Sequence, residues 1–273
     1  MADALPTIGA AIPIAMLATF RPWLLEKDRD LELQDFYTAD VLEADWRPQV
    51  EAARRALDGW SGRLGIHGPF RSLCLYSSDP EIRAVVNKRM HQALDVCAAL
   101  GATQMVIHSP FTHWDFRHLD LLADARDRMI EGVHRTLHDV VERAASEGVV
   151  LVMENIEDID PTDRLRLVDT FQSDAIQLSI DTGHAYYAHV TCGAPPVDYF
   201  VRAAGDRLKH VHLQDADGFA DRHWAIGEGT ITWPTVFRAF AELDEMPKLV
   251  FELRDHAGIP ASIDYLVAAG LAQ

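Results

Sequence analysis

The strongest constraint in this sequence is a recurring pair: a short apolar run of strand length, then a longer amphipathic stretch. Apolar runs suited to buried strands fall at residues 8–14, 31–36, 63–67, 104–108, 149–154, 176–181, 209–213 and 248–253. Between several of them, apolar residues recur at three- and four-residue spacing, the period of a helix lying on a core. Residues 81–100 do so through Val85, Met90, Leu94, Val96 and Leu100, with Gly101 placed to end the helix in a left-handed cap. Residues 121–145 repeat the pattern through Met129, Val133, Leu137, Val140 and Val141, and stop before Gly148. Residues 233–243 make a shorter helix, entered through Thr232 as N-cap with Pro234 in the first turn. Strand–helix alternation implies a parallel sheet, because parallel neighbours need a crossover long enough to hold a helix. Eight such units in 273 residues predict an α/β chain closed as a single (β/α)8 barrel over residues 1–273, a fold of typically ~250 residues. No GxGxxG follows any run, which argues against a dinucleotide-binding open sheet, and no Gly/Ser-rich linker divides the chain.

Charge narrows the class of partner. Acidic residues outnumber basic ones 42 to 25, a net −17, which disfavours polyanions and anionic membrane surfaces at long range. Three cysteines without a CxxC make no disulfide framework, so a cytoplasmic setting is expected. The apolar stretch 5–17 carries Pro6 and Pro13 and follows Asp3 without a basic segment, so it reads as a first strand and not as a signal peptide. It also falls short of the roughly 20 residues needed to cross a bilayer.

The polar residues that end these runs carry the chemistry. A charge or imidazole in a buried parallel strand is costly unless paired or bound to a metal. Yet the later strands finish on His67, His108, Glu154, Asp181, His212 and Glu252. His184 follows Asp181 by three residues, and Asp221 and His223 lie in the loop after His212. Barrel chemistry sits at the C-terminal ends of strands, so these nine side chains should meet at one mouth. Any one of them alone reads as a hydrogen-bonded rim or core residue. Nine ligand-type groups at corresponding places predict a site for a divalent ion (Mn, Zn, Mg or Co) that polarises a carbonyl or activates water.

Other histidines fit that pattern less well. His134 and His138 have the helical spacing of a zinc-protease motif but lack its Glu, so they read as surface or packing residues. His210 shares a strand face with His212 one layer deeper and reads as a core histidine. His113 and His118, with Trp114 and Phe116, form either a substrate lid or a packed rim loop.

Taken together, MEN around Glu154, IDTGH with Asp181 and His184, HVHLQD with His212, DRHWAIGEG with Asp221 and His223, and FEL with Glu252 resemble the xylose isomerase-like TIM barrels. That superfamily holds sugar (phosphate) isomerases and epimerases and the endonuclease IV type of abasic-site nuclease. The resemblance runs from about Ile8 onward and is strongest from Leu151 to Leu253. In the ketose epimerases, it implies that Glu154, Asp181, His212 and Glu252 hold one ion. Glu154 and Glu252 then double as acid and base, moving a proton beside a metal-polarised carbonyl through an enediolate. The remaining His67, His108, His184, Asp221 and His223 would contact substrate or additional metal. In the endonuclease branch, all nine would form three zinc sites. The keto-sugar epimerases carry an Arg six residues after the metal His. Here that place is Gly218, which leaves Arg222, Arg254 and Trp114 as candidate substrate contacts.

The leading expectation is an isomerase or epimerase of a small sugar, sugar phosphate or related keto-polyol, holding one tight ion per chain and forming a homo-oligomer. An abasic-DNA phosphodiesterase and a non-catalytic metal- or sugar-binding barrel are the alternatives.

Overall fold

A computed structural model describes residues 5–118 and 121–273. Eight parallel strands close into a barrel in sequence order. They are β1 (Gly9–Ile12), β2 (Leu31–Leu33), β3 (Leu64–His67), β4 (Gln104–His108), β5 (Val150–Glu154), β6 (Ile176–Asp181), β7 (Leu208–Leu213) and β8 (Lys248–Phe251). The helices are α1 (Leu17–Glu26), α2 (Ala39–Glu43), α3 (Arg47–Ala56), α4 (Pro80–Leu100), α5 (His113–His118), α6 (Ala125–Glu147), α7 (Pro161–Thr170), α8 (Thr182–Cys192), α9 (Val197–Ala204), α10 (Trp233–Phe240) and α11 (Ile259–Ala268). The expected single (β/α)8 barrel is the fold found, each apolar run supplying its strand.

Boundaries moved for local reasons. Pro13, which has no backbone N–H to donate, ends β1 and opens the 3-10 turn Ile14–Met16, so the strand is shorter than 8–14. β2 closes at Leu33 instead of reaching residue 36. On α4, Val85 is 49% exposed while Val86 is buried, because Val86, Met90, Ala93 and Cys97 share the inward face. Helix α6 begins at Ala125, not at residue 121. Thr232 receives the first bond of α10 through its carbonyl from Val236 N, with no side-chain cap, and α10 ends at Phe240 rather than at 243. Gly101 and Gly148 both adopt left-handed caps as expected.

The period of two along each strand divides the buried residues into two populations. Leu31, Leu33, Val211 and Leu213 face the helices and join the main apolar core. Glu32, His210 and His212 alternate with them and face the barrel interior, buried all the same. Glycine at position 9 is required by the close approach of β1 to β2, since a Cβ there would meet the Asp30 carbonyl oxygen at 2.0 Å. The register then sets the site: His108 stands opposite Glu154, and Asp181 opposite His212. Among the described residues, no helix is long and apolar enough to cross a membrane.

Candidate metal centre

At the C-terminal mouth of the barrel lies a cavity of about 400 Å3, lined by His67, His108, Glu154, His184, Asp221, His223 and Glu252 together with Gln34, Tyr37, Phe70 and His256. Such a volume lies in the ~300–1,000 Å3 range of small-molecule sites. The nine predicted side chains fall in three sets, two of which share Glu154, each able to bring ligand atoms within 4.8 Å of one another. The inner set is Glu154, Asp181, His212 and Glu252; the flanking sets are His67–His108–Glu154 and His184–Asp221–His223.

Local sequence fixes each member. Asp181 ends β6 and caps α8, its Oδ1 accepting from His184 N at 2.7 Å. Asn155, next to Glu154, clamps Asp181 by its backbone, accepting from its N–H at 2.9 Å and donating to its carbonyl at 3.2 Å. Gln214 Nε2 donates to both Asp181 oxygens and to Asp221 Oδ1, while its Oε1 accepts from His223 N at 2.6 Å. Residue 183 must be glycine for that amide to fit, because a Cβ would come within 2.3 Å of Gln214 Cδ. Gln34 Nε2 donates to Glu252 Oε1 at 2.5 Å.

The histidine tautomers are set from behind. Nδ1 of His67 faces the Gly68 carbonyl at 2.9 Å, that of His184 faces the Asn155 carbonyl at 3.0 Å, and that of His223 faces the Glu252 carbonyl at 2.9 Å. A carbonyl only accepts, so each Nδ1 carries the proton, and a neutral ring then turns a bare Nε2 toward the site. Those nitrogens meet carboxylates: His184 Nε2 and His223 Nε2 approach Asp221 Oδ1 at 3.4 and 3.0 Å. His67 Nε2 and His108 Nε2 stand 3.8 and 3.6 Å from Glu154 Oε2, an oxygen that is buried without a hydrogen-bond partner. Acceptors facing acceptors need a proton or a cation between them. Ligands bound tetrahedrally at ~2.1 Å lie roughly 3.4 Å apart, so the donor set fits a divalent ion.

The electrostatics follow. Burial would lower the His223 imidazole, but Asp221, Glu252 and Asp181 raise it to about 9. His184 and His212 are likewise lifted above the usual value by surrounding carboxylates against the pull of burial. Burial raises Asp181 to about 6. His108 is pushed down to about 3, burial outweighing Glu154.

Three expected substrate contacts stay outside the cavity lining. Arg222 is held by Asp217 at 2.8 Å and lies over the Trp224 ring. Arg254 donates to the Asp221 carbonyl at 3.4 Å; both arginines line a neighbouring recess that shares His223. Trp114 is 67% exposed on α5 and stacks on His118. His134 packs on Phe171 and reaches Thr170 Oγ1 at 2.8 Å, and His138 is exposed beside Glu142, so both are surface residues as expected. Sequence reasoning missed Glu32, Gln34, Gln214 and His256. Glu32, an acid inside an apolar strand, was the one that left a signal.

Similarity to known proteins agrees with this fold. An uncharacterized protein of Methanocaldococcus jannaschii, MJ1311, is 24% identical over 194 residues, covering 68% of this chain and 62% of that protein, under two-thirds of its length. The TTHB071 protein from Thermus thermophilus, soaked with ZnCl2, superposes with a TM-score of 0.72 at 27% identity, covering 97% of this chain and 99% of that one. A D-tagatose 3-epimerase-like protein superposes at 0.73 and 21% identity, with 96% of each chain covered. The model of the xylose isomerase-like TIM barrels matches residues 31–269, and the chain belongs to that family.

Proposed function

We propose that this protein is a divalent-metal-dependent epimerase or isomerase of a free ketose or related keto-polyol. One observation carries the proposal: the carboxylates of Glu154 and Glu252, which line the cavity, both close on Nδ1 of the buried His212, at 3.0 and 3.3 Å. Their strands stand three apart around the barrel, so the two acids reach one point from different sides. Residues Glu154, Asp181, His212 and Glu252 would hold the ion, whose role is to polarise a substrate carbonyl and acidify the adjacent C–H. Glu252, its Oε1 fixed by Gln34, would take that proton from one face, and Glu154, entering the turnover protonated, would give one to the other face of the planar enediolate, both groups being reset by exchange with solvent. The reverse assignment serves the opposite epimer. His67, His108, His184 and His223 offer ring nitrogens to substrate hydroxyls. Among the described residues, no lysine or arginine lines the cavity itself, which favours an unphosphorylated substrate; Arg71 lies over the Tyr37 and Phe70 rings. The D-tagatose 3-epimerase-like neighbour supports sugar chemistry.

The partnerless Oε2 of Glu154 between His67 and His108 favours a second reading, a three-zinc phosphodiesterase acting on abasic DNA. One panel separates the two: free ketoses and an abasic duplex assayed side by side with Mn2+ and after chelation. Metal-dependent ketose turnover without nicking is expected. Nicking without any ketose turnover would overturn the first reading.

A further inference from the structure

Below the carboxylates of the inner set, the barrel holds a second polar layer that proton transfer does not use. Glu32, on β2, is 2% exposed. Its Oε1 and Oε2 lie 3.1 and 3.2 Å from His212 Nε2, and Oε2 lies 3.2 Å from His210 Nε2. His210 Nδ1 in turn meets Ser179 Oγ at 2.9 Å, and the two residues are register partners across β6 and β7. Interior positions of such barrels are ordinarily branched aliphatics, and a buried carboxylate is costly without donors. Its placement therefore calls for a purpose.

The two nitrogens of His212 divide the work. A neutral imidazole carries one proton. An acceptor fixed at Nε2 holds that proton there, which leaves Nδ1 bare between Glu154 Oε1 and Glu252 Oε2. Nδ1 is the atom His212 offers to the inner set. A carboxylate behind a ligand imidazole also makes the ring a stronger donor.

We infer that Glu32 is a positioning residue of the metal centre, holding His212 with Nε2 protonated and Nδ1 turned to the ion, with His210, itself held by Ser179, close beside the Glu32 carboxylate. The inference rests on the metal-centre part of the proposed function and not on the identity of the substrate.

Zn2+ affinity of metal-free wild type and Glu32→Gln, measured by chelator competition, is the first test. Glutamine keeps an oxygen acceptor but removes the charge, and affinity should fall about 10–100-fold while the melting temperature of the metal-free protein is kept. Unchanged affinity, or a loss of melting temperature with normal affinity in the folded fraction, would overturn the inference. The second test needs no variant. Nitrogen-15 NMR of histidine-labelled, Zn2+-loaded wild type should find His212 protonated at Nε2 and metal-bound at Nδ1; the opposite tautomer overturns it. Both results as expected but no ketose turnover would leave this inference standing and remove the epimerase. A wild type that binds no divalent ion would remove both.

Discussion

Glu154 Oε2 and His108 Nε2 face each other across 3.6 Å at the centre of the mouth, and the oxygen has no hydrogen-bond partner although its side chain is 1% exposed. A substrate hydroxyl placed between them would donate its one hydrogen to the carboxylate and accept from the ring's Nε2–H. In the epimerase the tight ion belongs to the inner set, so His108→Ala should leave one ion per chain and raise KM by about 3–10-fold, the worth of one hydrogen bond. Elemental analysis beside steady-state kinetics checks this. Two or three zinc ions lost together from this variant would instead favour the phosphodiesterase.

The two acids can be separated from their role as ligands. Glu252→Gln keeps shape and some coordination but loses basicity. Turnover should fall by at least ~10²–10⁴, with metal affinity weakened only about 10–100-fold. Activity at saturating metal, read beside a binding isotherm, distinguishes the two losses. Normal turnover in this variant would remove Glu252 from proton transfer.

Without metal, the mouth is held by protonated imidazoles. His223 stands at about 9 in the folded protein against 6.5 unfolded. A raised folded value gives stability that is complete below the unfolded value and is lost as pH rises through the folded one. His184 and His212 shift in the same direction. The metal-free protein should therefore lose stability between pH 6.5 and 9, on the order of 3 kcal/mol for His223 alone, and its melting temperature should fall with it. Divalent ion should flatten that slope, since it takes the place of the protons. Calorimetry across the pH range with and without metal is the check.

The floor of the site depends on a buried ion pair. Arg164 Nε lies 2.8 Å from Asp158 Oδ1, and its Nη1 donates at 2.6 Å to the carbonyls of Met153 and Ser179 on adjacent strands. Burial lowers the guanidinium and raises Asp158, yet each is the other's partner. Arg164→Met leaves Asp158 uncompensated and should cost about 3–5 kcal/mol, measured by urea unfolding. The double variant with Asp158→Leu should recover much of it.

How much of this was legible in the sequence depends on period and burial. Parallel strands buried on both faces read as largely apolar runs even where a polar residue interrupts them, which is why all eight were found. The same property made His67, Glu154 or Glu252 conspicuous, since a polar end to such a run has few reasons to exist. Helices were harder. The α8 segment begins directly at Asp181 with mixed residues, and α1 carries Pro22 inside it, so neither offers a clean apolar stripe. Val85 was misplaced by one residue because Val85 and Val86 are equally apolar and only packing chooses between them. Arg222 and Arg254 were candidate substrate contacts in the sequence; Asp217 and the loop carbonyl of Asp221 hold them in the structure. Glu32 left only the weak signal of an acid between two leucines, which a half-exposed strand would also show; closure of the barrel is what buries it.

Epimerisation through Glu154 and Glu252 is tested most directly by solvent exchange. A free ketose incubated in D2O with the Mn2+-loaded protein should gain one deuterium at the epimerised carbon, followed by NMR, and none after chelation or with Glu252→Gln. A fully metal-loaded protein that nicks abasic DNA yet exchanges no ketose proton would contradict the assignment.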